Sequence, residues 1–316
     1  MDELVSVVLV TYNHESFIGR AMDSIVNQKH SFQIELLIAD DCSTDKTGQI
    51  IKEYAARYPD VIKILKREKN LGPTKNLFNA YQQCRGKYIA QLEGDDYWTD
   101  AEKLQKQYDF LERNKEYVCV THMHTDIDRD GKVIYGSWKG KAGKHTLKDF
   151  VQGDVMIGHF GTFFYRNFFG ENIEKYSIIY RAHDYMGDVT LSLILLLQGF
   201  VYCMEEKMSV YRNMNIAGGT NWRSVNTQRD MDYESIMYSL RLLQWVKQYY
   251  GLTENGKKQM HKNVYLSLAY LKDHPGKKGI NLLKSVYLQD EEKWGMVKYF
   301  VYMRKQKRAA DGQKIK

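Results

Sequence analysis

Two acidic groups stand directly after apolar runs. Asp40-Asp41 follows Ile34 to Ala39, and Glu93-Gly94-Asp95-Asp96 follows Lys87 to Leu92. Carboxylates at the mouth of a sheet are hard oxygen ligands, so the second group could hold a divalent cation and, through it, a diphosphate. A solvated acidic turn is the simpler alternative, but it leaves unexplained why another acidic pair closes a different strand. Asp40 and Asp41 could accept hydrogen bonds from a uracil N–H and from ribose hydroxyls, with Thr11 flanking the base. The competing reading is local, because acids after a strand are often caps or turn formers, and Asp41, Ser43 and Asp45 fit that description. A further acid, Asp188, opens the apolar stretch Val189 to Leu197. There it could act as a general base toward a hydroxyl or serve only as a helix cap. Asp184, one turn earlier, and the adjacent His183 are rivals for the base.

The elements that would carry these groups follow from hydrophobic periodicity. Leu4 to Val10 is a β-branched run ending at Thr11-Tyr12-Asn13, and Glu15 to Gln28 repeats apolar residues at helical spacing. Ile34 to Ala39 repeats the strand, and Lys46 to Tyr58 repeats the helix. A short third strand near Val61 to Leu65 leads to Asn70-Leu71-Gly72-Pro73, where Pro73 suits a first helical turn and Asn76 to Cys84 supplies the body. After the fourth strand, Lys87 to Leu92, a Thr99/Glu102 capping box predicts a helix to about Asn114. Alternating strands and helices predict an α/β, mostly parallel sheet flanked by helices, with ligands beyond the carboxyl ends of the strands. That geometry brings Asn13, Asp40, Asp41, Asn76 and Asp95 to one crevice.

Val118 to Trp222 reads as less regular, with short strands, Gly-rich turns and a helix near Asp188 to Gln198. From Thr227, Ile236, Leu240, Leu243 and Val246, and then Val264, Leu268 and Leu271, predict an appended helical module. The expected organisation is a nucleotide-binding half, residues 1–98, an acceptor-binding and catalytic half of the same domain, 99–226, and a helical C-terminal extension, 227–316.

Composition narrows the class. Hydrophobic residues make up 43% and aromatics 13%, with three prolines, which favours a packed globular protein over a disordered one. Cys42, Cys84, Cys119 and Cys203 form no CxxC pair, which argues against a zinc finger or disulfide framework and fits a reducing cytoplasm. The first residues lack a basic flank and cleavage site, so no export is expected. Leu191 to Leu197 is too short to span a bilayer and reads as core helix. The net charge is +7, and from Lys293 to Lys316 eight basic residues against Asp311 give the same surplus, 8 − 1 = 7. The aromatic and basic segment 294–308 could lie on an anionic membrane face or dock as a terminal helix. No nucleic-acid motif accompanies that charge.

Val10-Thr11-Tyr12-Asn13, Ala39-Asp40-Asp41-Cys42-Ser43-Thr44-Asp45, Asn70-Leu71-Gly72 with Asn76, and Leu92-Glu93-Gly94-Asp95-Asp96-Tyr97-Trp98 together resemble the family 2 glycosyltransferases in content, order and spacing. The likeness continues through Gly187-Asp188, Gly199, Glu205-Glu206 and Met208-Ser209-Val210-Tyr211-Arg212. It implies a GT-A fold, a nucleotide diphosphate sugar donor with UDP favoured, Mn²⁺ or Mg²⁺, a glycan or lipid-linked acceptor, and inversion at the anomeric carbon. Carried over by residue, it places Thr11, Asn13 and Asp41 along the nucleotide, Asp40 beside it, Asp95 as main metal ligand and Asp188 as base. Glu93 departs from the usual aspartate. Arg212 is expected either to add positive charge near the diphosphate or to pair structurally with Tyr211. Trp222, in the loop Gly218 to Trp222, could stack on a sugar. His159 could touch the acceptor or be a satisfied core histidine.

Two other readings compete. A nucleotidyltransferase shares the wound sheet and metal carboxylates but would want a Gly-rich basic loop where Thr11-Tyr12-Asn13-His14-Glu15 stands. A catalytically silent nucleotide-sugar or glycan-binding module has no need of Asp40, Asp95 and Asp188 together.

Overall fold

The aliphatic runs form the sheet that positions everything else. β1 (Leu4–Thr11) pairs in parallel with β2 (Gln33–Asp40) along its whole length, from Leu4 opposite Gln33 to Thr11 opposite Asp40. β3 (Ile62–Ile64) lies parallel outside β2, and β4 (Tyr88–Glu93) lies parallel on the other side of β1. The computed structural model describes residues 3–136, 140–152, 156–213, 230–251, 254–274 and 276–287, which divide into two units, Met1–Val225 and Asn226–Lys316.

In the first unit the remaining strands are β5 (Tyr97–Trp98), β6 (Tyr117–Ile127), β7 (Gly143–His145), β8 (Phe164–Arg166) and β9 (Phe200–Arg212). Their order is β3-β2-β1-β4-β8-β6-β9-β5, with β7 on β9. The sheet is parallel from β3 to β4 and mixed beyond, because β8 runs antiparallel to both β4 and β6. The helices are α1 (Ile18–Val26), α2 (Thr47–Arg57), α3 (Pro73–Tyr81), α4 (Lys103–Arg113), α5 (Leu147–Gln152), α6 (Ile178–Arg181) and α7 (Gly187–Gln198).

Alternation along the strands sorts the core. Val5, Val7, Leu9, Leu36, Ile38, Ala90 and Leu92 pack with Ile18, Ala21, Met22 and Ile25 of α1 and with Leu104 and Leu111 of α4. Strands buried on both faces read as continuous apolar runs, which is why this half was legible. Truncating one such residue, Leu36 for example, would cost about 2–5 kcal/mol.

Two expectations are corrected. The region after Val118 is not built of short strands alone: β6 has 11 residues and β9 has 13, and they pair in parallel. Buried Thr121, His122 and His124 and exposed Glu205, Glu206 and Lys207 interrupt the apolar pattern, and register shifts at His122, Met123 and His124 break the period. The capping box does not form. The Thr99 N–H goes to the Met208 carbonyl at 2.9 Å, and Asp100 Oδ1 accepts the Glu102 N–H at 2.8 Å, so Asp100 organises the start of α4.

The second unit contains helices Met231–Tyr250, Glu254–Asp273 and Lys277–Tyr287. Ile236, Leu240 and Leu243 of the first pack with Tyr270 of the second and Leu282 and Val286 of the third. Asp230 caps the first helix, accepting from Tyr233 N–H, Lys278 Nζ and Tyr270 Oη. Among the described residues no helix is long and apolar enough to cross a membrane. The segments Gly218–Trp222 and 294–308 lie outside the described residues.

Candidate functional site

The acidic turn after β4 is pressed onto the end of β1. The Gly94 N–H donates to the Val10 carbonyl at 2.9 Å, and a Cβ at Gly94 would sit 2.5 Å from Thr11 Oγ1 and 2.8 Å from His14 Nδ1. Only glycine allows that approach. Thr11 is buried and its hydroxyl meets His14 Nδ1 at 3.1 Å, while His14 Nε2 lies 3.9 Å from Asp95 Oδ2. Asp96 is buried; its Oδ1 accepts the Arg212 N–H at 2.7 Å, and its Oδ2 has no hydrogen-bond partner among the described residues. His159, entering from the segment before β8, places Nδ1 3.7 Å from Asp96 Oδ2 and Nε2 3.8 Å from Glu93 Oε2.

Glu93, Asp96 and His159 therefore each offer a ligand atom within 4.8 Å of the others. Among the described residues the donor atoms gathered this closely are those of Glu93, Asp96 and His159, while Asp95, the expected main metal ligand, lies toward His14. Burial holds the Asp96 carboxyl well above the usual range, reinforced by Asp95 and Glu93 and opposed by Arg212. The Glu93 carboxyl is raised by the low-dielectric walls of the recess, then by Asp95 and Asp188. With 39% of its side chain exposed, solvent screens part of that repulsion. A cluster of like charges with a buried, unpartnered oxygen fits a divalent cation, whose charge would relieve both the repulsion and the missing bond.

The β1 and β2 ends form the other side of the crevice. Asp40 Oδ1 accepts from Ser43 N–H and Ser43 Oγ, and Asp41 Oδ1 and Oδ2 accept the Leu71 and Gly72 N–H groups, each at 2.8 Å. Asp41 is buried and thus clamps the loop before α3. Asn76 is buried, donates to the Ala39 carbonyl at 2.7 Å, and accepts from Arg67 Nε at 2.7 Å. Its geometric role is to hold Arg67, a half-buried guanidinium whose pKa burial lowers against the opposing charges of Asp41 and Cys42. Asn13 at φ 56° and Cys42 at φ 62° adopt the left-handed region; Asn13 Oδ1 accepts the Thr44 N–H, and the Asn13 N–H reaches Ser43 Oγ. Such strain, of order 1–3 kcal/mol per residue, concentrates at functional loops.

Asp188 opens α7, half-buried, with Oδ1 accepting the Val189 N–H at 2.8 Å. Burial raises its pKa against that backbone bond. Its charge is one of the causes that raise Glu93, so the two carboxyl groups share one electrostatic neighbourhood. Of its rivals, Asp184 is exposed, and His183 is buried with Nδ1 accepting the Tyr185 N–H. Arg212 is buried and gives its guanidinium to the carbonyls of Asp95, Asp128 and Arg129. It braces the acidic turn, and its plane lies over Phe17 at 4.5 Å.

Sequence reasoning singled out neither Arg67 nor His14, and weighed His159 chiefly as a core residue. Arg67 follows the third strand with no local marker. His14, four residues from the end of an apolar run, was the available signal; for His159 there was none, because the two acids it approaches are more than 60 residues away.

A mixed central sheet flanked by helices, with an acidic turn after β4 and an acid at the head of α7, is the arrangement of a GT-A fold. The chain matches the Glycosyl transferase family 2 model over residues 6–172, more than half its length, and it belongs to that family of glycosyltransferases. An uncharacterized protein of Mycobacterium tuberculosis is 32% identical over 244 residues, 73% of this chain; the chain spans 64% of that relative's length. The Bacillus subtilis glycosyltransferase TuaG, whose name refers to teichuronic acid biosynthesis, is 30% identical over 229 residues, covering 70% of this chain and 84% of TuaG. The structure of S. aureus TarS 1-349 in complex with UDP superposes with a TM-score of 0.58 at 18% identity, covering 85% of this chain and 72% of that one.

Proposed function

We propose that the enzyme transfers a hexosyl or hexosaminyl group from a UDP-sugar to a hydroxyl of a glycan or lipid-linked acceptor, inverting the anomeric configuration, in surface polysaccharide or glycolipid synthesis. The observation that carries this reading is the setting of Glu93, which gathers with Asp96 and His159 at the end of β4 and feels the charge of Asp188 at the head of α7. The UDP and UDP-GlcNAc complexes of TarS and the name of TuaG support the donor and the pathway class.

In this reading Thr11, Asn13, Asp40 and Asp41 line the nucleoside, and Arg67, held by Asn76, supplies positive charge at that end. Glu93, Asp96 and His159 would hold Mn²⁺ or Mg²⁺, with Asp95 beside them. Such a cation neutralises charge on a diphosphate leaving group. Asp188 accepts the proton of the acceptor hydroxyl as its oxygen bonds to the anomeric carbon on the face opposite the departing diphosphate. One displacement requires no covalent intermediate and inverts the centre, and water exclusion strengthens each charge interaction. Arg212 holds the acidic turn. Residues 1–98 and 99–226 act as donor and acceptor halves of this domain, 227–316 is an extension, and the basic segment 294–308 brings the enzyme to the inner face of the cell membrane.

The test is UDP release from a panel of UDP-, GDP- and dTDP-sugars with Mn²⁺ and no acceptor. Slow, cation-dependent UDP release that drops at least about 100-fold in Asp96→Asn supports the reading. Release of pyrophosphate from a sugar phosphate and UTP would instead identify a nucleotidyltransferase, and tight donor binding without turnover on any acceptor would identify a silent module.

A further inference from the structure

We propose that helix α3 is the strut that sets the base against the donor pocket, and that Thr74, in its first turn, is the positioning residue for Asp188. The inference rests on Asp188 as the base and adds what places it.

Asp188 stands far along the chain from Asp40 and Asp41, so some element must fix its distance from them. Proton transfer in step with an attacking oxygen tolerates little error, and a misplacement of about 1 Å can cost roughly 100-fold in rate. Helix α3 meets both ends. On the donor side, the Asp41 carboxylate holds the Leu71 and Gly72 N–H groups just before the helix, and Asn76 donates to the Ala39 carbonyl near the end of β2. On the other side, buried Thr74 donates its hydroxyl to the Asp184 carbonyl at 3.1 Å, three residues before Gly187. Further along, the Phe78 ring packs on Tyr180 of α6 at 5.1 Å, and Tyr81 Oη donates to Gln91 Oε1 on β4, two residues before Glu93. One short helix thus touches the nucleotide loop, the strand leading to the acidic turn, and the approach to α7.

Gly187 supplies the second observation. It is the first residue of α7, and a Cβ there would lie 3.2 Å from Thr74 Cγ2 and 3.6 Å from Leu77 Cδ2. Its backbone is not in the left-handed region, so the close approach of α3, and not conformational freedom, accounts for a glycine at this place. Thr74 therefore engages the segment before Asp188 twice, by its hydroxyl on Asp184 and by its methyl against Gly187. Thr74, Leu77 and Tyr81 fall at helical spacing on one face, and the charge of Asp188 is felt at Tyr81 as well as at Glu93.

The experiment uses the full chain with Mn²⁺ and the donor panel described above, water serving as acceptor. It reads the rate of UDP release at saturating donor and, by calorimetry, the affinity for UDP. Thr74→Val keeps the branched shape and removes the hydroxyl; release should fall at least about tenfold with the UDP Kd within about twofold. Thr74→Ser keeps the hydroxyl and should recover most of the rate. Gly187→Ala should slow release although alanine is the better helix former, and Gly187→Ala/Thr74→Ser, which removes the methyl that the new Cβ strikes, should be faster than Gly187→Ala alone. A contact that serves stability alone would leave release by folded Thr74→Val unchanged, or lower UDP affinity in step with it, and either result overturns the assignment. If Thr74→Val does not fold, the Gly187 pair decides, and a double variant no faster than Gly187→Ala overturns it. Asp188→Asn separates this inference from the reading beneath it. Slow release by Asp188→Asn with normal release by Thr74→Val leaves the base standing and removes the strut. Wild-type release by Asp188→Asn, or no release by the wild type from any donor, removes the base and this inference with it.

Discussion

Asp188 is the residue on which transfer depends in this reading, and its setting makes two expectations concrete. Asp188→Asn should reduce kcat by about 10² to 10⁴ while leaving UDP binding within a few-fold, because the base contributes to the transition state and not to nucleotide contacts. Stopped transfer with intact UDP titration would bear this out; an unchanged kcat would move the base elsewhere. Burial raises its pKa, so the acid limb of the kcat profile should lie above the ordinary aspartate value of about 3.9, with activity rising as pH increases and the base form appears. Gly94→Ala is a harsher test of geometry. A methyl 2.5 Å from Thr11 Oγ1 must push the acidic turn off β1, and UDP-dependent Mn²⁺ binding should fall at least tenfold with a normal circular dichroism spectrum. The carboxylates of this site were legible in the sequence because each ends an apolar run. Arg67 and His159 were not, because Arg67 is defined by its bond to Asn76 and His159 by its approach to Glu93 and Asp96, and neither contact has a sequence period.

At the scale of elements, the parallel half of the sheet was readable from its β-branched runs, while β6 and β9 were hidden by buried histidines and by a run of charge on β9. A polar device of the same kind locks β1, β2 and the turn into β4. Glu35, buried on β2, accepts from Ser6 Oγ at 2.7 Å, from the Arg85 N–H at 2.8 Å and from the Arg85 guanidinium at 2.9 and 2.7 Å. Burial pushes its pKa up, but the hydrogen bonds from Ser6 and Arg85 outweigh it and leave the group below its ordinary value. A depressed carboxylate contributes stability that is fully present above the unfolded-state value of about 4.3 and fades as pH falls through the folded one. Glu35→Gln should therefore cost about 2 kcal/mol at neutral pH, the scale of charged hydrogen bonds, since the exposed Arg85 adds little by charge alone. Urea unfolding at pH 7 and at pH 3 should show that gap shrinking at the lower pH, and a gap that grew there would refute the clamp.

At the scale of the whole chain, every residue of the site, from Thr11 to Arg212, belongs to the first unit, while the second has its own apolar cluster and its own polar knot at Asp230. Two separate cores predict two separable heat-capacity transitions. UDP with Mn²⁺ at 100 times its Kd stabilises whatever binds it by about 2.7 kcal/mol, which for a domain of the first unit's size is a shift of roughly 5–10 °C. Asp230→Ala removes a helix cap that also accepts from Lys278 and Tyr270, a loss of about 1–2 kcal/mol, and should lower the other transition by roughly 4–16 °C. Scanning calorimetry of the full chain should then show UDP moving one peak and the Asp230 substitution moving the other. A single peak that responds to both would mean that the helical extension and the catalytic domain unfold together, and that the extension contributes to donor binding through coupling energy despite supplying no residue of the described site.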